Sequence, residues 1–197
     1  MAKLPKLKMY VASTVYNVED QLRQICAVLG GFGFEVWNSH LGTIPLHPAH
    51  SNRDNCVAAV GACDTFLGII RPFYGSGIVG DLSITHEECL EALRLGKPRW
   101  FLVHRDVAFA RQLLKPYMYN EDESPNSLFN FKKTAVMDDV RVIHLYNDML
   151  QTGVPVDRRK GHWVQEFYRL QEVLTFLNSQ FSDASRIRSI CSEMSHS

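Results

Sequence analysis

Long apolar runs, net charge of either sign and paired cysteines are all missing from this 197-residue sequence. No apolar stretch approaches the roughly 18 residues that a membrane-crossing helix needs. The opening MAKLPKLKMYVAS, interrupted by Pro5 and spaced lysines, lacks the apolar centre of a signal peptide. No membrane partner is therefore expected. Lys plus Arg and Asp plus Glu number 21 each, and the one basic cluster, Arg158-Arg159-Lys160, reads as a solvated loop. Nucleic acid is accordingly not an expected partner. The five cysteines, Cys26, Cys56, Cys63, Cys89 and Cys191, are odd in number and form no C-x-x-C. They read as buried free thiols of a reducing compartment, which predicts a cytoplasmic location. Also absent are G-x-S-x-G, G-K-[ST] and H-E-x-x-H, which argues against a serine-hydrolase elbow, a phosphate loop and a zinc peptidase helix. His40, His47 and His50 share one proline-broken loop but match no ligand spacing, so neither a metal nor a resident cofactor is expected.

What is present is an ordinary globular composition, 46% apolar and 21% charged, long enough for one core. A single domain is predicted over residues 1–181, followed by a serine-rich tail, 182–197, with too little apolar content to pack. No internal repeat is visible. LKMYVAS reads as a first strand, and Asn17 before Glu19 and Asp20 as a helix start. FEVWNS is a second strand, and Ser51 with Asp54 marks a second helix start. TFLGII and RWFLVH are continuous apolar runs suited to strands buried on both faces. Between them a helix begins near Thr85 and closes at Gly96-Lys97-Pro98. VAFARQLLKPYM is a helix ending at Pro116, residues 117–135 a long polar loop, and VRVIHLYN a fifth strand. Trp163, Phe167, Leu170, Leu174 and Leu177 then fall on one helical face. Five alternations of strand and helix predict a doubly wound α/β fold with a mainly parallel five-stranded sheet and helices on both faces. Such sheets bind ligands beyond the carboxyl ends of their strands. That places Ser13 to Asn17, the loop 38–51, RPFYGSGIVGDLS and His104 to Asp106 around the crevice.

Thr85 and Glu88 have the T-x-x-E spacing of a capping box, a sufficient structural reason for both. The neighbouring Gly75, Gly77 and Gly80 give a second reading, since glycine backbone admits a ligand closely. A carboxylate in the first helical turn feels the positive end of the dipole and is expected to be ionised. That suits Glu88 to act as a nucleophile, or to stabilise a cationic sugar-like transition state, better than to donate a proton. Arg71 at a strand end is placed to meet a phosphate or carboxylate. Tyr74 is placed either to stack on a base or to fold onto the core. Ser13 and Thr14, in the first strand-to-helix turn, serve either as turn chemistry or as contacts to ribose or phosphate. His86, beside the turn that carries Thr85, reads either as a proton relay or as an exposed first-turn histidine.

MYVASTVYNVEDQLR, SNRDNCVAAVGACDTFLGIIRPFYGSG and SITHEECLEALRLGKPRWFLV, in that order, resemble a family of TIR-like domains of unknown function. The same centre is similar to nucleoside 2-deoxyribosyltransferases. The resemblance covers residues 6–105 and implies a TIR-like, flavodoxin-like fold. It implies that Glu88 is the catalytic glutamate and that Ser83 and Thr85 are substrate-lining hydroxyls. It further implies that Ser13 and Thr14 contact sugar or phosphate and that Asp64 is structural. Ala12 stands where the family has a further hydroxyl, and two extra residues separate Arg71 from Tyr74. The implied activity is cleavage or transfer of an N-glycosidic bond in NAD or a related nucleotide or nucleoside. The setting is immune-type signalling or defence, with Arg71, Tyr74 and Gly75 at the substrate and self-association plausible. A non-catalytic nucleotide-sensing or assembly module, or a pure protein-interaction domain, are the alternatives.

Overall fold

The computed structural model of the protein describes residues 5–14, 18–75 and 77–195. In chain order the elements are β1 (Lys8–Ser13), α1 (Glu19–Gly31), β2 (Glu35–Trp37), α2 (Asn52–Ala62), β3 (Thr65–Ile70), β4 (Ile78–Val79), β5 (Leu82–Ser83) and α3 (Ile84–Arg94). They continue with β6 (Arg99–His104), α4 (Arg105–Met118), α5 (Arg141–Leu150), β7 (His162–Phe167), α6 (Leu170–Phe181) and α7 (Ala184–Ser195). β2, β1, β3, β6 and β7 pair side by side, in that order and all parallel, while β4 and β5 form a small antiparallel ribbon. The order progresses outward from β1 to β2 and then reverses through β3, so the switch point lies at β1/β3. The doubly wound α/β class expected from the sequence is the observed one.

The central strands are apolar along their length because both faces of the sheet are covered. All six residues of TFLGII are buried, and β6 is buried from Arg99 to Val103. Gly68 leaves room for the ring of its cross-strand partner Phe101. A Cβ there would stand 2.6 Å from Phe101 Cδ1 on the neighbouring strand. One face packs Leu22, Ile25 and Leu29 of α1 with Val173, Leu177 and Phe181 of α6 and Ile187 of α7. The opposite face packs Val60, Cys89, Ala92, Val107, Val142 and Met149 from α2, α3, α4 and α5.

α2 starts as expected. Ser51 Oγ accepts the amide of Asp54 at 3.1 Å and donates to its carboxylate at 2.7 Å. The expected cap of α1 at Asn17 lies outside the described residues. Elsewhere the structure corrects four assignments. VRVIHLYN belongs to α5, not to a strand: Val142, Leu145, Tyr146 and Met149 are buried at helical spacing. The fifth strand is instead HWVQEF, which adds in parallel to β6, so the helix expected from Trp163 begins only at Leu170. Pro116 lies inside the last turn of α4, which runs on to Met118. The serine-rich tail, expected not to pack, is helical over Ala184–Ser195. It forms α7, with Ile187 buried and Arg188 Nη2 donating to Pro5 O at 2.6 Å. The polar stretch after α4 is irregular, yet Asn126 ties it to the carbonyls of Met118 and Tyr117.

Candidate functional site

Beyond the carboxyl ends of β1, β2 and β3, on the α2/α3 side, lies a cleft of about 830 Å³. Ser13 and Thr14 enter it from the end of β1, and Ser39, His40, Ile44 and Leu46 from the loop after β2. α2 contributes Asn52 and Cys56, the loop after β3 contributes Tyr74, Gly75 and Gly77, the end of β5 contributes Ser83, and α3 contributes Thr85 and Glu88. Lys133 and Asp138 reach it from the segment before α5. Seven of the eight sequence-derived site residues thus meet in one cavity, and Arg71 does not.

Glu88 is not part of a capping box. Ser83 caps α3, its hydroxyl accepting the amide of His86 at 3.2 Å, and Thr85 is already the second helical residue. The acid of the first turn is Glu87, which the Arg53 guanidinium of α2 grips twice, at 2.5 and 2.9 Å. Glu88 follows it, turned inward and only 2% exposed, with Oε1 accepting the hydroxyl of Tyr10 at 2.7 Å. Burial pushes its pKa up from 4.5 to about 7, against the opposing pull of hydrogen bonds from Tyr10 and Cys56. The expectation of a dipole-ionised carboxylate is therefore corrected. Glu88 lies past the first turn, where the dipole has faded, and desolvation outweighs what remains. Such a group is populated in both forms near neutral pH and can serve as base or nucleophile when ionised and as acid when protonated.

Its neighbours share its environment. Burial, and then the adjacent carboxylate, raise the Tyr10 phenol far above its ordinary value and push the Cys56 thiol up to about 11. Cys56 is thus a thiol, not a thiolate nucleophile. Tyr10 Oη is the orienting group. It stays protonated and holds one carboxylate oxygen in place. The sequence signal for it is faint, a lone tyrosine among Met9, Val11 and Ala12 of a strand buried on both faces.

Two asparagines shape the wall after β2. Asn38 Nδ2 donates to Val11 O at 2.8 Å while its Oδ1 accepts the Leu41 amide. Asn55 Oδ1 accepts the His47 amide at 2.7 Å, and its Nδ2 faces the carbonyls of His47, His50 and Ser51. Gly75 needs its glycine. Its φ is +93°, and a Cβ there would stand 3.2 Å from Thr14 Cγ2. Thr14 is 7% exposed, and its hydroxyl oxygen has no hydrogen-bond partner among the described residues.

The remaining expectations divide. Arg71 points to the other face of the sheet. Its Nη1 donates to Gln21 Oε1 at 2.9 Å, and it lines a separate cavity of about 20 Å³ with Val18, Leu22 and Phe167. Burial lowers its pKa, and its Nε has no partner among the described residues. The Tyr74 ring is fully buried and offers no face to a base, so of its two readings the fold onto the core is the one observed. His86 is buried, not exposed. His104 caps α4 and packs against Phe167 and Tyr168 instead of facing the cleft. Asp64 is structural, accepting the Lys8 amide at 2.7 Å. The cysteines are free, four of them buried. No described group of His, Cys, Asp and Glu has the arrangement of a metal site, and no described helix is long and apolar enough to cross a membrane.

Residues 8–159 match the model of a family described as a domain of unknown function, DUF4062. The chain belongs to that family. The DUF4062 match reaches beyond the residues 6–105 that carried the resemblance and takes in Lys133, Asp138 and α5. No curated protein matches the chain.

Proposed function

We propose that this DUF4062 protein cleaves or transfers the N-glycosidic bond of a nucleoside or nucleotide, NAD among them, with Glu88 acting at the anomeric carbon. One observation carries the reading. A buried carboxylate with its pKa moved to about 7 is held by Tyr10 at a cleft large enough for a sugar and a base. The bond from the anomeric carbon to the base nitrogen breaks with its electron pair leaving on the base, and the sugar carbon passes through an oxocarbenium-like state. Ionised Glu88 stabilises that cation or bonds to it. Water or a second base then completes hydrolysis or transfer. Ser13, Ser83, Thr85 and the unpartnered Thr14 hydroxyl supply contacts for sugar or phosphate oxygens. Resemblance to TIR-like domains and nucleoside 2-deoxyribosyltransferases points to the same chemistry.

The charge around the cleft narrows the substrates to try. Among the described lining residues Lys133 is the one Lys or Arg, against the carboxyl groups Glu19, Glu88 and Asp138. A lone cation favours ligands with one phosphate or none, so nucleosides and mononucleotides belong beside NAD in the assay. Glu88→Gln keeps the shape and the bond from Tyr10 but removes the charge. Base release by the variant is expected to fall roughly 10²- to 10⁴-fold, and turnover equal to wild type removes Glu88 from the mechanism. The near-complete burial of Glu88 gives weight to a second reading, a nucleotide sensor. Calorimetric binding of a nucleotide recovered unaltered after long incubation favours the sensor.

A further inference from the structure

We propose that Asp148, a residue of α5 outside the cleft, is a positioning residue that fixes the cleft wall through a continuous hydrogen-bonded chain, Asp148–His86–Tyr74–Ser83. Asp148 Oδ2 lies 2.7 Å from His86 Nε2, and His86 Nδ1 lies 2.8 Å from Tyr74 Oη. Tyr74 Oη accepts the Ser83 amide at 3.1 Å. A single proton arrangement satisfies every member. The carboxylate only accepts, so His86 Nε2 carries the hydrogen, Nδ1 accepts the Tyr74 hydroxyl proton, and the phenol lone pair takes the Ser83 N–H. His86, Tyr74 and Ser83 are all buried, whereas the Asp148 side chain is 46% exposed. The chain therefore runs from the solvent edge of α5 to the cleft.

What it holds in place needs holding. Tyr74 and Ser83 bracket the segment that carries the short β4–β5 ribbon, joined to it through Gly75 and turned at Gly80, both at positive φ. One phenol oxygen ties the two ends of that segment together. The same segment is gripped at three further points, by Asp138 just before α5 and by Arg141 at its start. Asp138 Oδ1 accepts the Tyr74 amide at 2.7 Å, Arg141 Nη1 donates to Asp81 O at 3.0 Å, and the Arg141 guanidinium lies 5.0 Å over the Tyr74 ring. His86 precedes Glu88 by two residues on α3, so the ring that anchors the segment also anchors the turn presenting the carboxylate. Buried polar chains in which every donor and acceptor is used rigidify what they join. Loosening this one shifts Gly75, Gly77 and Ser83, and so ligand affinity, while Glu88 keeps its bond from Tyr10.

The kinetic part of the test rests on the proposed glycosidic chemistry; the structural part does not. In the full chain, Asp148→Ala is expected to speed amide exchange across residues 74–86 roughly tenfold with β1 and β3 unchanged. Asp148→Asn, which retains an acceptor for the Nε2 hydrogen, stays near wild type. Tyr74→Phe, which keeps the ring and loses the hydroxyl, reproduces the local change and serves where Asp148→Ala does not fold. Imidazole ¹⁵N shifts report the Nε2–H tautomer of His86 in wild type and its loss in Asp148→Ala. In base release, Asp148→Ala raises KM about tenfold with kcat within about threefold, the reverse of Glu88→Gln. Absence of any base release by wild type sinks the glycosidic reading and leaves the exchange result to decide the clamp. Exchange unchanged in both Asp148→Ala and Tyr74→Phe, exchange raised evenly over the whole sheet, or an Asp148→Asn as damaged as the alanine overturns the proposal.

Discussion

The two faces of the sheet are built from the same strands and come to opposite ends. Under α1, α6 and α7 the packing closes over Phe34, Trp100 and Phe181, leaving at the strand ends a cavity of about 20 Å³ beside Arg71. Under α2 and α3 the loops after β2 and β3 stand apart, and about 830 Å³ is left open above Glu88 and its hydroxyl neighbours. Each face holds an ionisable group near the carboxyl ends of the strands, Glu88 buried and Arg71 partly exposed, but of the two only the carboxylate borders a space that admits a ligand. A polar group buried without a structural partner is costly wherever it lies. The accompanying cavity is what separates a functional candidate from an incidental one.

The sharpest way to separate the faces is to damage the closed one. Phe181 is fully buried and meets Trp100 and Phe34 edge to face, so Phe181→Ala is expected to cost about 3–5 kcal/mol in denaturant unfolding. Where the variant stays folded, nucleotide affinity should be unchanged, and a parallel loss of affinity would show that the faces are not independent. Next in size is the pH dependence set by Glu88. With a folded-state pKa of about 7 against an ordinary 4.5, the native protein retains a proton that the unfolded chain has lost between those values. Its stability must therefore fall as pH rises from about 4.5 through 7. Glu88→Gln does not titrate, so it should gain on wild type by up to about 3 kcal/mol between pH 4 and pH 8. A constant difference across that range in paired thermal melts would show that burial does not perturb the carboxyl.

Asn55 tests how the open side is kept open. Asn55→Ala strips the backbone around His47, His50 and Ser51 of its partner and is expected to cost roughly 1–3 kcal/mol. It should also weaken ligand binding, because the loop it holds carries part of the cleft wall. Calorimetry alongside unfolding checks both. The smallest expected effect is the most pointed. Arg71→Met should leave ligand affinity within about twofold of wild type, since the guanidinium faces the closed side. A large loss would return Arg71 to the site that its place in RPFYGSG first suggested.

Arg71 also shows where reading the chain runs out. It stands at the end of β3, three residues from Tyr74, and sequence proximity put both on one ligand. Alternation along and beyond a strand end sends side chains to opposite faces, and which face holds the cleft is not written locally. The swap between α5 and β7 has a similar cause. VRVIHLYN has a β-branched beginning and apolar residues that fit either period, while HWVQEF is an edge strand whose exposed positions weaken its pattern. Pairing with β6 decided the second, and the buried stripe Val142-Leu145-Tyr146-Met149 the first. In the tail, Ile187 supplies the buried anchor that composition alone had discounted.

What the sequence determined by itself is the doubly wound layout and the gathering of Ser13, Thr14, Gly75, Ser83, Thr85 and Glu88. Apolar strands, capping hydroxyls and glycine stops are local signals, and parallel order brings the strand ends together. Tertiary structure alone decided the state of Glu88, the orientation of Arg71, the burial of Tyr74 and His86, and the link to Asp148. Each of those depends on how much water the surrounding elements exclude and on partners up to 78 residues away, as Tyr10 is from Glu88. Desolvation is a property of the packed molecule, and no window of neighbouring residues contains it.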